Sequence, residues 1–181
     1  QTIAQDYYNF PFQGALWDPT SSTSVATGAI GLVEPGVGTA LSGDPTGSGF
    51  LAVLNAYRAS IGISGSADVI SIAPGGQEYP DVTPPAFNPA GERSLDVGIV
   101  TAINPRSPLI VYAGSGTDHD ARFNTFTAYQ SAFWDTVNNP GVITSSFSYA
   151  TLSTPGSPFK IASDGLYVDA ALRNISVFND A

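Results

Sequence analysis

Cysteine is absent from this chain of 181 residues, histidine occurs once, and lysine and arginine together number six. Each scarcity removes a class of chemistry. Without cysteine there are no disulfides, no thiolate nucleophiles and no cysteine-based zinc sites. With His119 as the single histidine, Ser/His/Asp and Cys/His catalysis both have thin support. Fifteen acids against six bases give a net charge of −9, with no basic cluster, so nucleic acid and anionic membranes are poor partners on electrostatic grounds. No apolar run approaches the roughly 20 residues of a spanning helix, and no basic-then-apolar signal peptide opens the chain. Gln1 reads as the start of a processed mature protein. Only 12% of residues are charged, so the polar surface must be mostly Ser, Thr, Asn and Gly. In acid most carboxylates become neutral, and six cations then build up little repulsion. The composition suits an acidic, extracellular setting.

What is present is enough for a real core: 43% of residues are hydrophobic, in a chain of one-domain length. Strand-like and helix-like segments alternate. Gly28–Val33 reads as a strand ending at Glu34-Pro35-Gly36. Residues 49–60 read as a helix with a stripe of Phe50, Leu51, Val53, Leu54 and Tyr57, and with Gly62 as its cap. Asp68–Ile72 is a short strand, followed by a loop rich in Pro and Gly over about 73–90. Pro108–Tyr112 is a buried-looking strand, Ala121–Asn138 a helix, Val142–Ser148 strand-like, Pro158–Arg173 helical, and Ile175–Phe178 the start of one more strand. This alternation implies a largely parallel sheet with helices on both faces. No repeat or linker divides the chain. It stops while a core strand is in progress, and residues 1–181 read as a piece of something longer.

The segment Gly91-Glu92-Arg93-Ser94-Leu95-Asp96 carries the sharpest chemical signal. It opens an apolar pattern of helical spacing through Val97, Ile99, Val100 and Ile103. Residues four apart share a helix face, so Glu92 and Asp96 are expected in line with Ile99, Val100 and Ile103, on the apolar side. Carboxylates held close in different surroundings acquire separated pKa values, which is how acid and base roles are divided. By spacing alone, two ordinary acids on a solvated helix edge are the commoner reading.

Four segments in order change that balance. Thr2-Ile-Ala-Gln-Asp-Tyr-Tyr-Asn-Phe-Pro11, Ala29-Ile-Gly-Leu-Val-Glu34-Pro-Gly36, Gly91-Glu-Arg-Ser-Leu-Asp96 and Ser146-Phe-Ser-Tyr149 resemble stretches of the sedolisins, serine-carboxyl peptidases with a subtilisin-like fold. The resemblance implies an acid-acting endopeptidase with a Ser-Glu-Asp triad, in which Glu92 is the general base and Asp96 its partner. Histidine is already protonated in acid, whereas a carboxylate with a pKa of about 4 can still accept a proton there. The resemblance further implies a hydrogen-bond network through Glu34 and Tyr149. It places Gly114 and Ser115 on one wall of a peptide cleft, with Ser146, Phe147 and Ser148 on the other. Tyr149 stands where relatives often carry Trp.

The departures are as informative. The family's Ser-Gly-Thr-Ser stretch with the nucleophile is missing; the nearest string is Ser115-Gly116-Thr117-Asp118. The family's oxyanion aspartate would follow Ala181, and its calcium site would also lie beyond this chain. The expectation is therefore the N-terminal portion of a peptidase domain, secreted, acting on peptide or protein substrates. The remainder of the domain would be supplied by a second chain after a cut, or be lost by truncation. The alternative is a relative that binds peptides or partners without catalysis.

Other candidates are weaker. A two-carboxylate glycosidase needs acids flanking a sugar bond from opposite sides, and acids four apart on one helix sit side by side. Asp118-His119-Asp120 offers a helix cap more readily than a metal site, because neighbouring loop residues rarely converge on one ion. The stretch Val111-Tyr-Ala-Gly-Ser-Gly-Thr117 is no phosphate loop, for it lacks the required lysine. Asn174-Ile-Ser176 is a glycosylation sequon, but Asn also ends helices naturally, and a sugar is not expected there.

Overall fold

The computed structural model describes residues 28–35, 50–72, 91–114, 121–147 and 155–179. Among them, nine elements alternate in chain order: β1 (Ile30–Val33), α1 (Phe50–Ser60), β2 (Val69–Ile72), α2 (Glu92–Ile103), β3 (Leu109–Tyr112), α3 (Ala121–Trp134), β4 (Val142–Ser145), α4 (Pro158–Leu172) and β5 (Ser176–Asn179). The strands form a single parallel sheet in the order β2-β3-β1-β4-β5. The expected α/β architecture is present.

Side chains alternate across each strand, and the core divides accordingly. Leu32, Val69, Leu109 and Val111 face one side, where they meet Phe50, Leu51 and Leu54 of α1 and Val97 of α2. Val33, Ile110, Tyr112 and Ile143 face the other, against Tyr129 and Phe133 of α3 and Leu166 of α4. The first pair of helices thus covers one face and the second pair the other.

This arrangement fixes the hand of each crossover. From β1 to β2 the chain moves one way along the sheet under α1. It returns from β2 to β3 on that same face, under α2. The next two connections continue in the return direction, but on the opposite face. Three crossovers therefore share one hand and the α2 crossover has the other. Parallel crossovers are right-handed in about 98% of cases, which makes that of α2 the left-handed one.

Helix ends follow local chemistry. Gly62 lies at φ +86° just after α1, as a glycine cap requires. Ser157 caps α4 by accepting from the Lys160 amide at 3.2 Å, with Pro158 at the first helical position. After α4, Asn174 takes a left-handed φ of +59°, in keeping with its expected helix-ending role. Helix α3 stops at Trp134, short of the expected Asn138. The reason is Asp135, which accepts the amides of Val137 and Asn138, each at 2.9 Å, and folds the chain into a turn. Strand β4 likewise ends at Ser145 rather than Ser148.

Arg58 is the largest fully buried side chain among the described residues, at 1% exposure. Its guanidinium donates to the carbonyls of Thr101, at 2.5 Å, and Pro105, at 3.2 Å. It thereby caps the C-terminal end of α2 from α1. Burial lowers its pKa. The carbonyls at a helix C-terminus carry partial negative charge, which suits a cation there.

Candidate functional site

Helices in such a sheet start above the C-terminal ends of the strands, where open α/β sheets bind ligands. Helix α2 brings Glu92 to that edge as its first residue, with Asp96 one turn later. Its N-cap is Gly91, with no side-chain cap, so the first-turn amides and the positive dipole end face this edge of the sheet. The side chain of Glu92 lies outside the described residues; that of Asp96 is half-buried.

From the strand side, β1 is followed directly by Glu34, which is 0% exposed. Its amide donates to the Tyr112 carbonyl at 3.0 Å, extending the β1–β3 ladder by one step. On the other flank, Leu32 pairs with Thr144, so continuing that register sets Glu34 level with Ser146. Alternation along β1, with Leu32 on the α2 face and Val33 on the other, returns Glu34 to the α2 face. The same alternation carries Ser146 there, since Ile143 lies on the opposite face. The contact follows: the Ser146 hydroxyl donates to Asp96 Oδ2 at 2.7 Å, across 50 residues of sequence.

Ser145, which the sequence did not single out, fastens the same edge. Its hydroxyl donates to the Val33 carbonyl at 2.9 Å and accepts the Phe147 amide at 2.9 Å. A strand ending in Ser-Ser was its only trace in the sequence. Gly114 follows β3 and adopts φ +75°, a backbone position that favours glycine.

The structure thus brings Asp96 and Ser146 into contact and sets Glu34 level with Ser146, while Gly114 and Phe147 stand at the ends of the neighbouring strands. Ser115, Ser148, Tyr149 and the Asp118-His119-Asp120 run lie outside the described residues.

One expectation needs correction. Asp96 does not share a buried stripe with Ile99 and Ile103: Ile99 is 44% exposed, and the buried face of α2 is made by Ser94, Val97 and Thr101. The helix is rotated so that its small and polar residues pack inward, while Asp96 and Val100 lie at the margin. The buried Thr101 hydroxyl donates to the Val97 carbonyl at 2.8 Å, and so satisfies itself within its own helix. The outward residues Leu95 and Ile99 join Val53 and Tyr57 of α1 as walls of a groove of about 220 Å³, floored by Phe50 and Leu54. Val53 and Tyr57 are therefore groove residues rather than core.

Among solved structures the chain is similar to sedolisin from Pseudomonas, a serine-carboxyl proteinase determined as a complex with two molecules of pseudo-iodotyrostatin. The TM-score is 0.55 at 14% identity, and the match covers 84% of this chain and 38% of that one. The fold is subtilisin-like. No family model matches the sequence, and no curated protein does. The chain spans well under half the length of its sedolisin neighbour, so the subtilisin-like sheet described above corresponds to part of that protein. Among the described residues, no three of His, Cys, Asp and Glu come together as a metal cage. No described helix is long and apolar enough to cross a membrane.

Proposed function

We propose that this chain supplies the general-base half of an acid-acting serine-carboxyl endopeptidase. The observation that carries the reading is the meeting of Asp96 with Ser146 at the C-terminal edge of a subtilisin-like sheet, level with a wholly buried Glu34. In this reading Glu92 accepts the proton of a serine hydroxyl as that oxygen attacks a peptide carbonyl. It then returns the proton to the leaving amine. Asp96 holds Glu92 in place and shares its hydrogen-bonding load. The serine, and the protonated aspartic acid that would donate to the oxyanion, belong to sequence outside this chain. Calcium, peptide substrates and a secreted location belong to the same reading. The site is complete only with the remainder of the domain.

Replacing Glu92 by Gln keeps shape and removes the base. In the protein that carries the serine, Glu92→Gln should lower acid peptide cleavage by about 100-fold or more, with circular dichroism unchanged. Undiminished cleavage would sink the assignment. A second reading, peptide capture without turnover, draws support from the apolar groove between α1 and α2. Saturable binding of peptides by a full-length protein that yields no cleavage product would favour it.

A further inference from the structure

Ser146 sits where the sequence resemblance placed a substrate contact, yet its hydroxyl is already committed. A serine hydroxyl has one proton to donate, and here that proton goes to Asp96 Oδ2 at 2.7 Å. It has none left to give to a peptide carbonyl. The bond engages one of the two carboxylate oxygens and leaves Oδ1 clear of Ser146. Ser146 itself is held from behind, because Ser145 is tied to both the Val33 carbonyl and the Phe147 amide. The half-buried Asp96 is thus gripped by a rigid strand end, not by a mobile surface group.

We propose, resting on the peptidase reading above, that the Ser146 hydroxyl positions Asp96 and does not donate to peptide. It fixes the orientation of the Asp96 carboxylate, the partner of Glu92 in that reading. No proton leaves Ser146 at any step; it donates a hydrogen bond and keeps its O–H.

The two roles separate in steady-state kinetics. A lost substrate contact raises KM, whereas a misplaced base lowers kcat. In the full-length protein at acid pH, Ser146→Ala is expected to lower kcat about tenfold, with KM held within about twofold. Ser146→Thr, which keeps the hydroxyl, should restore most of the rate, and a purely steric role would not produce that rescue. Raised KM with kcat intact, or no change in either, would overturn the proposal and leave the peptidase reading standing. A wild-type protein that cleaves no peptide would instead remove the reading on which the proposal rests.

Discussion

Asp135 accepts four hydrogen bonds on its two oxygens: from the amides of Val137 and Asn138, the Asn138 side chain and the Tyr112 hydroxyl. Burial alone would raise its pKa, but these donors outweigh it and hold the carboxyl below its ordinary value of 3.8. Tyr112 is pushed the opposite way, by burial first and by its bond to Asp135 next. A carboxylate with a depressed folded pKa stabilises the fold above its unfolded pKa, and that contribution is lost as pH falls through the folded value. The clamp therefore persists to lower pH than an ordinary aspartate would allow. Asp135→Asn should cost about 1–3 kcal/mol at neutral pH, and the deficit should be smaller at an acid pH low enough for the Asp135 carboxyl to take up its proton. Urea unfolding at the two pH values reads this directly; an unchanged deficit would mean that charge has no part in it. At this scale the sequence was legible where partners are close in the chain. That Glu92 and Asp96 lie one turn apart on a single helix follows from their spacing. The contact between Ser146 and Asp96 joins residues 50 apart, and no local pattern announces it.

Strand β1 lies at the centre of the sheet, and one of its residues must be small. A Cβ on Gly31 would stand 2.9 Å from Ile143 Cγ1 and 3.2 Å from Tyr112 Cε2, closer than packed carbons tolerate. Glycine there lets the Tyr112 ring cross β1 on its way to Asp135. Gly31→Ala should therefore destabilise by about 1–3 kcal/mol through overpacking, seen as a lower urea midpoint. A midpoint equal to wild type would show that Ile143 moves aside freely. The elements themselves were largely legible, because apolar runs bounded by Gly, Pro and Asn mark strands and helices physically. Their ends were less so. Helix α3 is cut short by the Asp135 side chain, which competes for amides that the apolar pattern assigned to a longer helix. The rotation of α2 was also hidden: Thr101 and Ser94 face inward because one bonds its own helix and the other is small, and Ile99 is left outside.

For the whole molecule, strand alternation announced a parallel sheet covered on both faces, but neither the order β2-β3-β1-β4-β5 nor the hand of the α2 crossover can be read from composition or periodicity. The hand matters for the site. Had α2 crossed with the usual hand it would lie against α3 and α4, on the face away from Ser146, and Asp96 would have nothing to meet. The same topology has a consequence for how the protein is made. A ribosome delivers β1 and β2 first, yet in the finished sheet β3 stands between them, and among the described strands neither finds a partner until Leu109–Tyr112 emerges. The nascent chain must therefore carry two orphan strands, the first of them from Ile30 onward, until Leu109 has been added. Non-local pairing of this kind is slow and exposes edges to misassociation. Pulse-labelled hydrogen exchange during refolding should find β1 and β2 gaining protection together with β3 and not before it; early protection of β1 and β2 would contradict this order of assembly.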